Sequence, residues 1–412
     1  MSERKSSPRR LLMLCNDRQI DRRILLQADS LEESGWQVVI LAMPLDDGGV
    51  DSDLRVHRIG AAAGSSVRRE HIVLSCYRLV RRGLAMNGAL MQRLKSFAWQ
   101  FLVDHERFYL NLFLADGRRF ESDVVVAHDL PMLVVGRTLA REFGARLVYD
   151  SHELYCEQEF SRGQQISWAR VERRHIHACD RVITVNPSIA SELKARYGLD
   201  SVQVIYNAER VGPLGARSWY LHERFSIARQ HPVLLFQGGL SAGRNLVELI
   251  EAIALIEDCP VHLVVLGDGQ LAGALEALVA QRRLSARVHF HPAVAQADLL
   301  AITASADAGV IPYQAICLNN FYCTPNKLFE FIAAGLPILA SDLPELRRLV
   351  VGHDVGQVFD LSRPEKIARA IADFFSDSER IDTWRDNLRV VREQLSWQCE
   401  GERLKEIYEA LA

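Results

Sequence analysis

Short apolar runs alternate with helical patterns along nearly the whole chain, and this alternation constrains the fold more than any other feature of the sequence. A strand–helix–strand order places parallel strands in one sheet with helices on both faces. The runs predict strands at residues 11–14, 38–41, 123–127, 146–149, 181–185 and 202–205, and then at 233–236, 262–266, 287–290, 308–311 and 338–340. The pattern therefore predicts an α/β protein with doubly wound parallel sheets.

The alternation breaks at residues 208–230, where Gly-Pro, Trp and mixed charges interrupt it. A chain of 412 residues also exceeds one ordinary domain. We therefore predict two Rossmann-like domains at residues 1–208 and 231–385, joined by a linker at 209–230 and followed by a helix at 386–412. Polar or glycine-rich residues follow four of the predicted strands, which predicts a ligand cleft between facing domains.

Composition narrows the class of protein. Apolar residues make up 49% of the chain, charged residues 25%, and the net charge is -3, which is typical of a soluble globular enzyme and not of a nucleic-acid-binding protein. Eight cysteines without a Cys-x-x-Cys pair predict reduced thiols in a cytoplasmic protein. The first apolar run is too short for a signal sequence or a membrane span.

Residues 324–337 carry the strongest functional signal. Thr324 suits the cap of a helix and Pro325 its first position. The free N–H groups of Asn326 and Lys327 would then point outward at the positive end of the helix, where Lys327 adds a full charge. Glu330 lies one turn further on and can accept hydrogen bonds from a polyol. A phosphate site beside a carboxylate fits a sugar nucleotide, and the alternative is a capped helix without a ligand.

A glycine-rich turn lies between a predicted strand and a predicted helix at residues 238–245, where the sequence is GGLSAGRN. The glycines allow backbone N–H groups to approach a phosphate closely, and Arg244 can bind it through two hydrogen bonds. The alternative is a flexible turn with a surface arginine.

Histidines follow two strands of the first half. His128 follows the strand at 123–127, and His152 and Glu153 follow the strand at 146–149. A lone histidine after a strand is often structural, and His152 with Glu153 either shapes an acceptor pocket or caps the next helix. The second histidine of a His-Glu-x-x-His motif is absent after His152, so no metal site is predicted.

Basic residues concentrate at 68–95, which holds seven Arg or Lys and one acid. Apolar residues recur there at helical spacing, so the segment predicts a basic helix that docks on an anionic membrane or binds an acidic glycan or lipid-diphosphate acceptor. The alternative is a core helix with solvated arginines. The charged residues 17–23 are interpreted as a solvated helix face, with contact between Arg18 or Arg22 and an acidic acceptor or a donor phosphate as the alternative.

The helix start and the glycine-rich turn together resemble the donor-binding elements of retaining GT-B glycosyltransferases of family four, the group 1 glycosyltransferases. The family pattern is a Glu, seven residues, a second Glu and then Ala-Ala-Gly-x-Pro. Glu330 matches the second Glu, which implies ribose binding, and Tyr322 stands where the family has its sugar-binding Glu. Arg244 falls on the Lys of the family's Gly-Arg-x-x-x-x-Lys turn. Gly239 stands at its Arg, and we expect Lys327 to supply that missing charge.

The resemblance extends to the first half, where His128 matches a histidine that faces the donor sugar in one branch of the family. It implies two Rossmann-like domains facing across a cleft, with the last helix packed back on the first domain. It also implies transfer of a sugar from a nucleotide-diphosphate donor to a hydroxyl of a glycan or lipid-linked acceptor, with retention and without a metal or other cofactor.

The predicted site residues follow from this resemblance and from the motifs. The predicted catalytic residues are His128, Arg244 and Lys327. The predicted donor-binding residues are Gly238, Gly239, Arg244, Asn326, Lys327 and Glu330. Residues predicted on the acceptor or sugar side are Arg18, His152, Glu153 and Tyr322.

Two other functions fit the same features. Non-hydrolysing sugar-nucleotide epimerases share the GT-B architecture, and a non-catalytic scaffold subunit would explain Tyr322. The resemblance and the basic segment favour a bacterial surface-polysaccharide pathway, such as capsule or O-antigen assembly, at the inner face of the cytoplasmic membrane.

Overall fold

The computed structural model describes residues 9–45, 51–60, 104–215 and 218–411. The basic segment 68–95 lies outside the described residues. The chain divides into two compact units. Unit 1 contains Met1–Val185, Ile189–Val204 and Leu404–Ala412, and unit 2 contains Asn186–Ser188 and Ile205–Arg403. The domain boundaries predicted from the sequence, and the packing of the final helix on the first domain, stay predictions.

Unit 1 is built on a parallel sheet of seven strands in the order β3-β2-β1-β4-β5-β6-β7. The strands are β1 Arg9–Cys15, β2 Trp36–Ala42, β3 Val56–Arg58, β4 Val124–His128, β5 Arg146–Ser151, β6 Arg181–Thr184 and β7 Gln203–Val204. The helices are α1 Arg22–Glu33, α2 His105–Gly117, α3 Leu130–Phe143, α4 Arg162–His175 and α5 Pro187–Tyr197. The register of β4 and β5 sets His128 opposite Asp150 at their carboxyl ends.

Unit 2 is built on a parallel sheet of six strands in the order β10-β9-β8-β11-β12-β13. The strands are β8 Val233–Gln237, β9 His262–Leu266, β10 Val288–His291, β11 Ala308–Ile311, β12 Ile338–Ser341 and β13 Gly356–Phe359. The helices are α6 Tyr220–Phe225, α7 Leu246–Leu255, α8 Ala272–Gln281, α9 Gln296–Thr303, α10 Leu318–Phe321, α11 Asn326–Ala333, α12 Pro344–Val350, α13 Pro364–Ser376 and α14 Ser378–Gln394. Helix α15 Trp397–Glu409 begins in unit 2, and its residues from Leu404 onward belong to unit 1. The strand order reverses between β8 and β11, which is where doubly wound sheets bind ligands.

The predicted fold class is confirmed, since both sheets are parallel and both alternate with helices. The two strands that the sequence analysis missed, β3 and β13, lie at sheet edges. Most of their residues are only half-buried, so they lack the continuous apolar run of a central strand.

A glycine in β11 fixes the position of α11 above the sheet of unit 2. A Cβ atom on Gly309 would lie 2.5 Å from Cδ2 of Phe331, so the Phe331 ring packs directly on the strand backbone. All but the first residue of α11 are buried. This packing holds Lys327 and Glu330 on a short helix that begins near the ligand-binding edge.

Among the residues that the structure describes, the helices are too short or too polar for any of them to cross a lipid bilayer.

Candidate functional site

The turn after β8 brings two stretches of backbone into close contact at the carboxyl edge of the sheet. Gly238 has a φ of 111°, and its N–H donates to the carbonyl of Leu266 at 2.9 Å. A Cβ on Gly267 would lie 2.1 Å from the carbonyl oxygen of Gly238, so a side chain does not fit at that position. Gly238 and Gly239 are both exposed, so their backbone is accessible to a ligand.

Two cations meet at this turn over one aromatic ring. The guanidinium carbon of Arg244 lies 4.0 Å from the centre of the Tyr313 ring, and Nζ of Lys327 lies 5.0 Å from the same centre. Lys327 Nζ also lies 3.7 Å from the centre of the Phe236 ring. A Cβ on Gly238 would be 3.3 Å from Lys327 Nζ, so the amine lies against the glycine-rich turn.

Neither cation has a hydrogen-bond partner among the residues that the structure describes. Arg244 forms no ion pair within the same ranges, and its one protein contact of this kind is the ring of Tyr313. Lys327 is 5% exposed. Burial, and then the charge of Arg244, hold the pKa of Lys327 well below its usual value. Arg244 is therefore a charge without an ion-pair partner among the described residues, and beside it lies the buried amine of Lys327 without a hydrogen-bond acceptor in the same ranges.

Helix α11 begins at Asn326 with Pro325 as its N-cap residue, and no side chain caps it. The prediction that Thr324 caps the helix and Pro325 occupies its first position was wrong by one residue, because Pro325 has an extended ψ of 146°. The Thr324 hydroxyl instead accepts a hydrogen bond from the buried amide of Asn186 at 3.2 Å. The backbone N–H groups of Asn326 and Lys327 occupy the first helical turn, where N–H groups have no acceptor within the helix.

Glu330 is buried, and a second side chain fixes the orientation of its carboxylate. The amide nitrogen of Gln237 donates to Oε2 of Glu330, and the hydroxyl of Thr303 lies 2.8 Å from the amide oxygen of Gln237. Sequence reasoning missed Gln237 and Thr303. A polar residue at the end of the otherwise apolar strand β8 was the available signal.

Tyr322 ends helix α10 and is half-buried. Its carbonyl accepts a hydrogen bond from the Asn186 amide at 2.8 Å, and its ring lies 5.0 Å from that of Phe321. Asn186 thus holds both ends of the loop from Tyr322 to Thr324, a role that no sequence motif indicates.

A different set of charges lies at the carboxyl ends of β4 and β5 in unit 1. Asp150 is fully buried, and Arg23 donates to it from Nη2 at 2.9 Å and from Nε at 3.3 Å. Gln27 donates to Oδ2 of Asp150 at 2.7 Å. Nδ1 of His128 and Nε2 of His152 lie 3.2 Å and 3.1 Å from the same oxygen. Four side chains thus surround the carboxylate, which orients both imidazoles.

The protonation states follow from these contacts. Burial alone would raise the pKa of Asp150, but Arg23 and His152 hold it well below its usual range. Burial lowers the pKa of His128 despite the nearby Asp150 carboxylate. The pKa of His152 behaves oppositely, because Asp129 and Asp150 overcome the effect of burial and raise it to about 9. His152 is therefore charged at neutral pH, and His128 is neutral.

Asp129 has a left-handed φ of 62° at the start of α3. Its N–H donates to the carbonyl of Asp150 at 2.9 Å, and its carboxylate accepts from the N–H of His152 at 2.9 Å. Such a backbone conformation costs a non-glycine residue about 1–3 kcal/mol. Burial raises the pKa of Asp129 to about 7. Glu153 is half-buried and its carboxylate accepts from Gln158.

The interpretation of residues 17–23 as a solvated helix face was wrong for Arg23, which is 2% exposed and paired with Asp150. The reason is that Arg23 lies on the inward face of α1, next to Ile24. Arg18 is exposed, and its carbonyl accepts from Arg58 at 2.7 Å.

One group among the described residues brings three potential metal ligands within 4.8 Å of one another, namely His128, Asp150 and His152. Arg23 and Gln27 already donate to the carboxylate of this group. A metal ion there would lie beside a buried guanidinium and be repelled by it. We therefore interpret the group as a hydrogen-bonded charge network.

Two family models match this chain. "Glycosyl transferases group 1" matches residues 231–377, and "Glycosyl transferase 4-like domain" matches residues 20–208. The chain belongs to the group 1 glycosyltransferases. The first range contains Arg244, Lys327 and Glu330, and the second contains the network around Asp150.

Known proteins similar to this glycosyltransferase agree with the assignment. MMP alpha-(1->4)-mannosyltransferase of Mycolicibacterium hassiacum is 24% identical over 71% of this chain and 72% of its own length. Sucrose-phosphate synthase from Thermosynechococcus elongatus superposes with a TM-score of 0.73 at 18% identity, over 98% of this chain and 99% of that one. HepE of Anabaena in complex with UDP gives a TM-score of 0.69 at 16% identity, over 97% and 100%. The structural likeness confirms the predicted GT-B fold.

Proposed function

We propose that this glycosyltransferase transfers a sugar from a nucleoside-diphosphate donor to a hydroxyl of a glycan or lipid-linked acceptor, with retention of configuration and without a metal. The observation that carries the proposal is the pair of cations, Arg244 and Lys327, over the Tyr313 ring. A half-buried guanidinium and a buried amine, both without an acceptor among the described residues, suit an anionic ligand. A diphosphate supplies two charges, and the UDP complex of HepE shows such a ligand in a protein of the same fold.

In the proposed reaction, the acceptor hydroxyl attacks the anomeric carbon from the face on which the diphosphate leaves. The bond from carbon to the donor phosphate oxygen breaks, the bond to the acceptor oxygen forms, and the acceptor proton passes to the departing phosphate. No covalent bond to the protein forms. Arg244, Lys327 and the first N–H groups of α11 stabilise the charge that grows on the phosphate.

Other side chains position the donor in this proposal. Glu330, oriented by Gln237, binds the ribose hydroxyls. His128 contacts the sugar through Nε2, because Nδ1 of its neutral imidazole lies against the Asp150 carboxylate. Tyr322 stands where the family has its sugar-binding Glu, so in this proposal its phenol contacts the donor sugar and contributes to sugar selectivity. His152, Glu153 and Arg18 are proposed on the acceptor side.

The proposed biological setting is the synthesis of a bacterial surface polysaccharide in the cytoplasm, at the inner face of the membrane. It rests on the family resemblance and on the seven basic residues between 68 and 95.

Thermal unfolding with a panel of UDP-, GDP-, ADP- and CMP-sugars tests the donor site. We expect one nucleoside-diphosphate sugar to raise the melting temperature, and the monophosphate CMP-sugar to have little effect. Glu330→Ala should abolish the shift, whereas Glu276→Ala, an exposed position on α8, should preserve it. If no diphosphate sugar raises the melting temperature, the proposed donor site is wrong.

Product analysis then tests the reaction. With the selected donor and an acceptor, NMR of the product should show the same anomeric configuration as the donor. An inverted product would contradict retention. Isomerised donor in the absence of acceptor would indicate an epimerase, and binding without turnover a scaffold subunit.

A further inference from the structure

We infer that Lys327 is uncharged in the empty site and takes up a proton when the diphosphate of the donor binds, so that donor binding is coupled to proton uptake. The inference rests on the proposed function, because the donor supplies the anion. It goes beyond that function by giving the two cations of the site different roles.

The surroundings of Lys327 fit an amine better than an ammonium ion. An ammonium group has three N–H donors, and in this buried position Nζ finds no hydrogen-bond acceptor among the described residues. Its nearest neighbours include the faces of Phe236 and Tyr313, at 3.7 Å and 5.0 Å from the ring centres. The ring faces attract a cation but offer no lone pair, so the three N–H donors of an ammonium ion would remain without a conventional acceptor. A full charge without acceptors would pay a large desolvation penalty.

The charged and titratable groups around Lys327 also favour the neutral form. Arg244, on the turn after β8, repels a second cation. Glu330, one turn along α11, attracts it, but Gln237 already donates to that carboxylate. Burial raises the pKa of Cys323 to about 12 and also raises that of Tyr313, so neither supplies a negative charge at neutral pH. Burial and Arg244 prevail, and the pKa of Lys327 is held well below its usual value.

A bound diphosphate reverses this balance. Its oxygens accept hydrogen bonds and its charge stabilises the ammonium form, so the pKa of Lys327 rises on binding. Between the pKa of the empty site and that of the occupied site, binding takes up a proton and weakens as the pH rises. Arg244 cannot share this behaviour because a guanidinium stays protonated throughout the accessible pH range. The donor itself is a phosphodiester without a titrating proton near neutrality, so the proton must come to the protein.

Isothermal titration calorimetry tests the inference with UDP-glucose and GDP-mannose as probes. Each titration is performed at pH 8 in HEPES and in Tris, whose ionisation enthalpies differ, and the difference in binding enthalpy gives the number of protons taken up. For whichever nucleotide binds, we expect close to one proton per donor, and an affinity that falls by about tenfold per pH unit over the coupled range.

Variants assign the proton to Lys327. Lys327→Arg carries a permanent charge and should bind donor without proton uptake, and Lys327→Met should bind more weakly and also without uptake. Lys194→Met, an exposed position on α5, is the matched control and should keep the wild-type uptake.

The outcomes separate this inference from the proposed function. Binding without proton uptake between pH 7 and pH 9 overturns the inference and leaves the donor site intact. Uptake that persists in Lys327→Met assigns the proton to another group and overturns it as well. If neither nucleotide binds to the wild-type protein, the proposed donor site fails and the inference fails with it.

Discussion

Unit 1 and unit 2 each place basic side chains at the carboxyl edge of a parallel sheet, but the surroundings of these side chains differ. In unit 1, Arg23 and Asp150 neutralise one another, and their hydrogen bonds are made within the protein. In unit 2, Arg244 and Lys327 lie over one ring with no hydrogen-bond partner among the described residues. The first arrangement stabilises the fold and fixes side chains. The second is the arrangement that the proposed diphosphate donor would complete.

Removal of the Asp150 carboxylate in unit 1 should have the largest effect on the unfolding free energy. Asp150→Asn leaves the guanidinium of Arg23 buried without its counterion, which costs about 3–5 kcal/mol of unfolding free energy. Urea unfolding followed by circular dichroism measures the loss. Asp373→Asn, at an exposed ion pair on α13, should change the same quantity by less than about 0.5 kcal/mol. A loss of less than 1 kcal/mol in Asp150→Asn would show that unit 1 does not depend on this pair.

Removal of a cation in unit 2 should affect binding instead of folding. Arg244→Gln is expected to weaken donor binding by about 1.5–3 kcal/mol, roughly tenfold to more than a hundredfold, because a charged hydrogen bond to phosphate is lost. Turnover should fall at least as far. The urea midpoint should not change, since no ion pair of Arg244 is broken. Arg369→Gln, at an exposed position on α13, is the control, and equal donor affinity in both variants would contradict the anion site.

His152 in unit 1 and Lys327 in unit 2 should also make opposite contributions to the pH dependence of the unfolding free energy. The folded pKa of His152 is raised to about 9, so its contribution is full below the unfolded value near 6.5 and is lost as the pH rises to about 9. The folded pKa of Lys327 is lowered, so the unfolded chain binds the extra proton and stability rises with pH toward 10.5.

Variants should expose these opposing contributions between pH 7 and pH 9. Stability should rise with pH in His152→Asn and fall with pH in Lys327→Met, each differing from wild type by at most about 1.4 kcal/mol per pH unit. Urea midpoints at pH 7, 8 and 9 measure the slopes. Identical slopes of the urea midpoint against pH in both variants would contradict the opposite contributions of His152 and Lys327.

The smallest expected effect is on stability in Lys327→Met at pH 7. A thioether of similar length replaces an amine without a hydrogen-bond acceptor, so we expect a gain of about 1 kcal/mol or no change. Together with the result for Asp150→Asn, this would show that one buried ionisable side chain supports the fold and the other does not. A loss above 1 kcal/mol would place Lys327 among the residues that hold unit 2 together.

The central strands could be predicted from sequence because they are buried on both faces and appear as apolar runs. The runs at 11–14 and 233–236 mark strands β1 and β8 to within a few residues. The edge strands β3 and β13 could not be predicted in this way, because half-buried strands mix apolar and polar residues. The location of helix α11 was predictable from its pattern, but the cap shifted by one residue because the Asn186 amide takes the Thr324 hydroxyl.

The placement of Glu330 and Lys327 on one helix was predictable because a single motif contains both. Contacts between distant segments were not predictable. Arg23 and Asp150 are 127 positions apart, so the sequence shows two charges without showing that they form a pair. Tyr313 is an unremarkable aromatic residue in the sequence, and only the fold places it beneath two cations.

The absence of a side chain at Gly309 determines how closely α11 packs on the sheet of unit 2. A single methyl group there would occupy the space of the Phe331 ring, and α11 would have to move away from the sheet. The amine of Lys327 and the carboxylate of Glu330 would move with it. Their height above the sheet is thus set by a buried strand residue that carries no side chain. If the proposed donor site is correct, a substitution at residue 309 would reshape it while all of its own side chains stay the same.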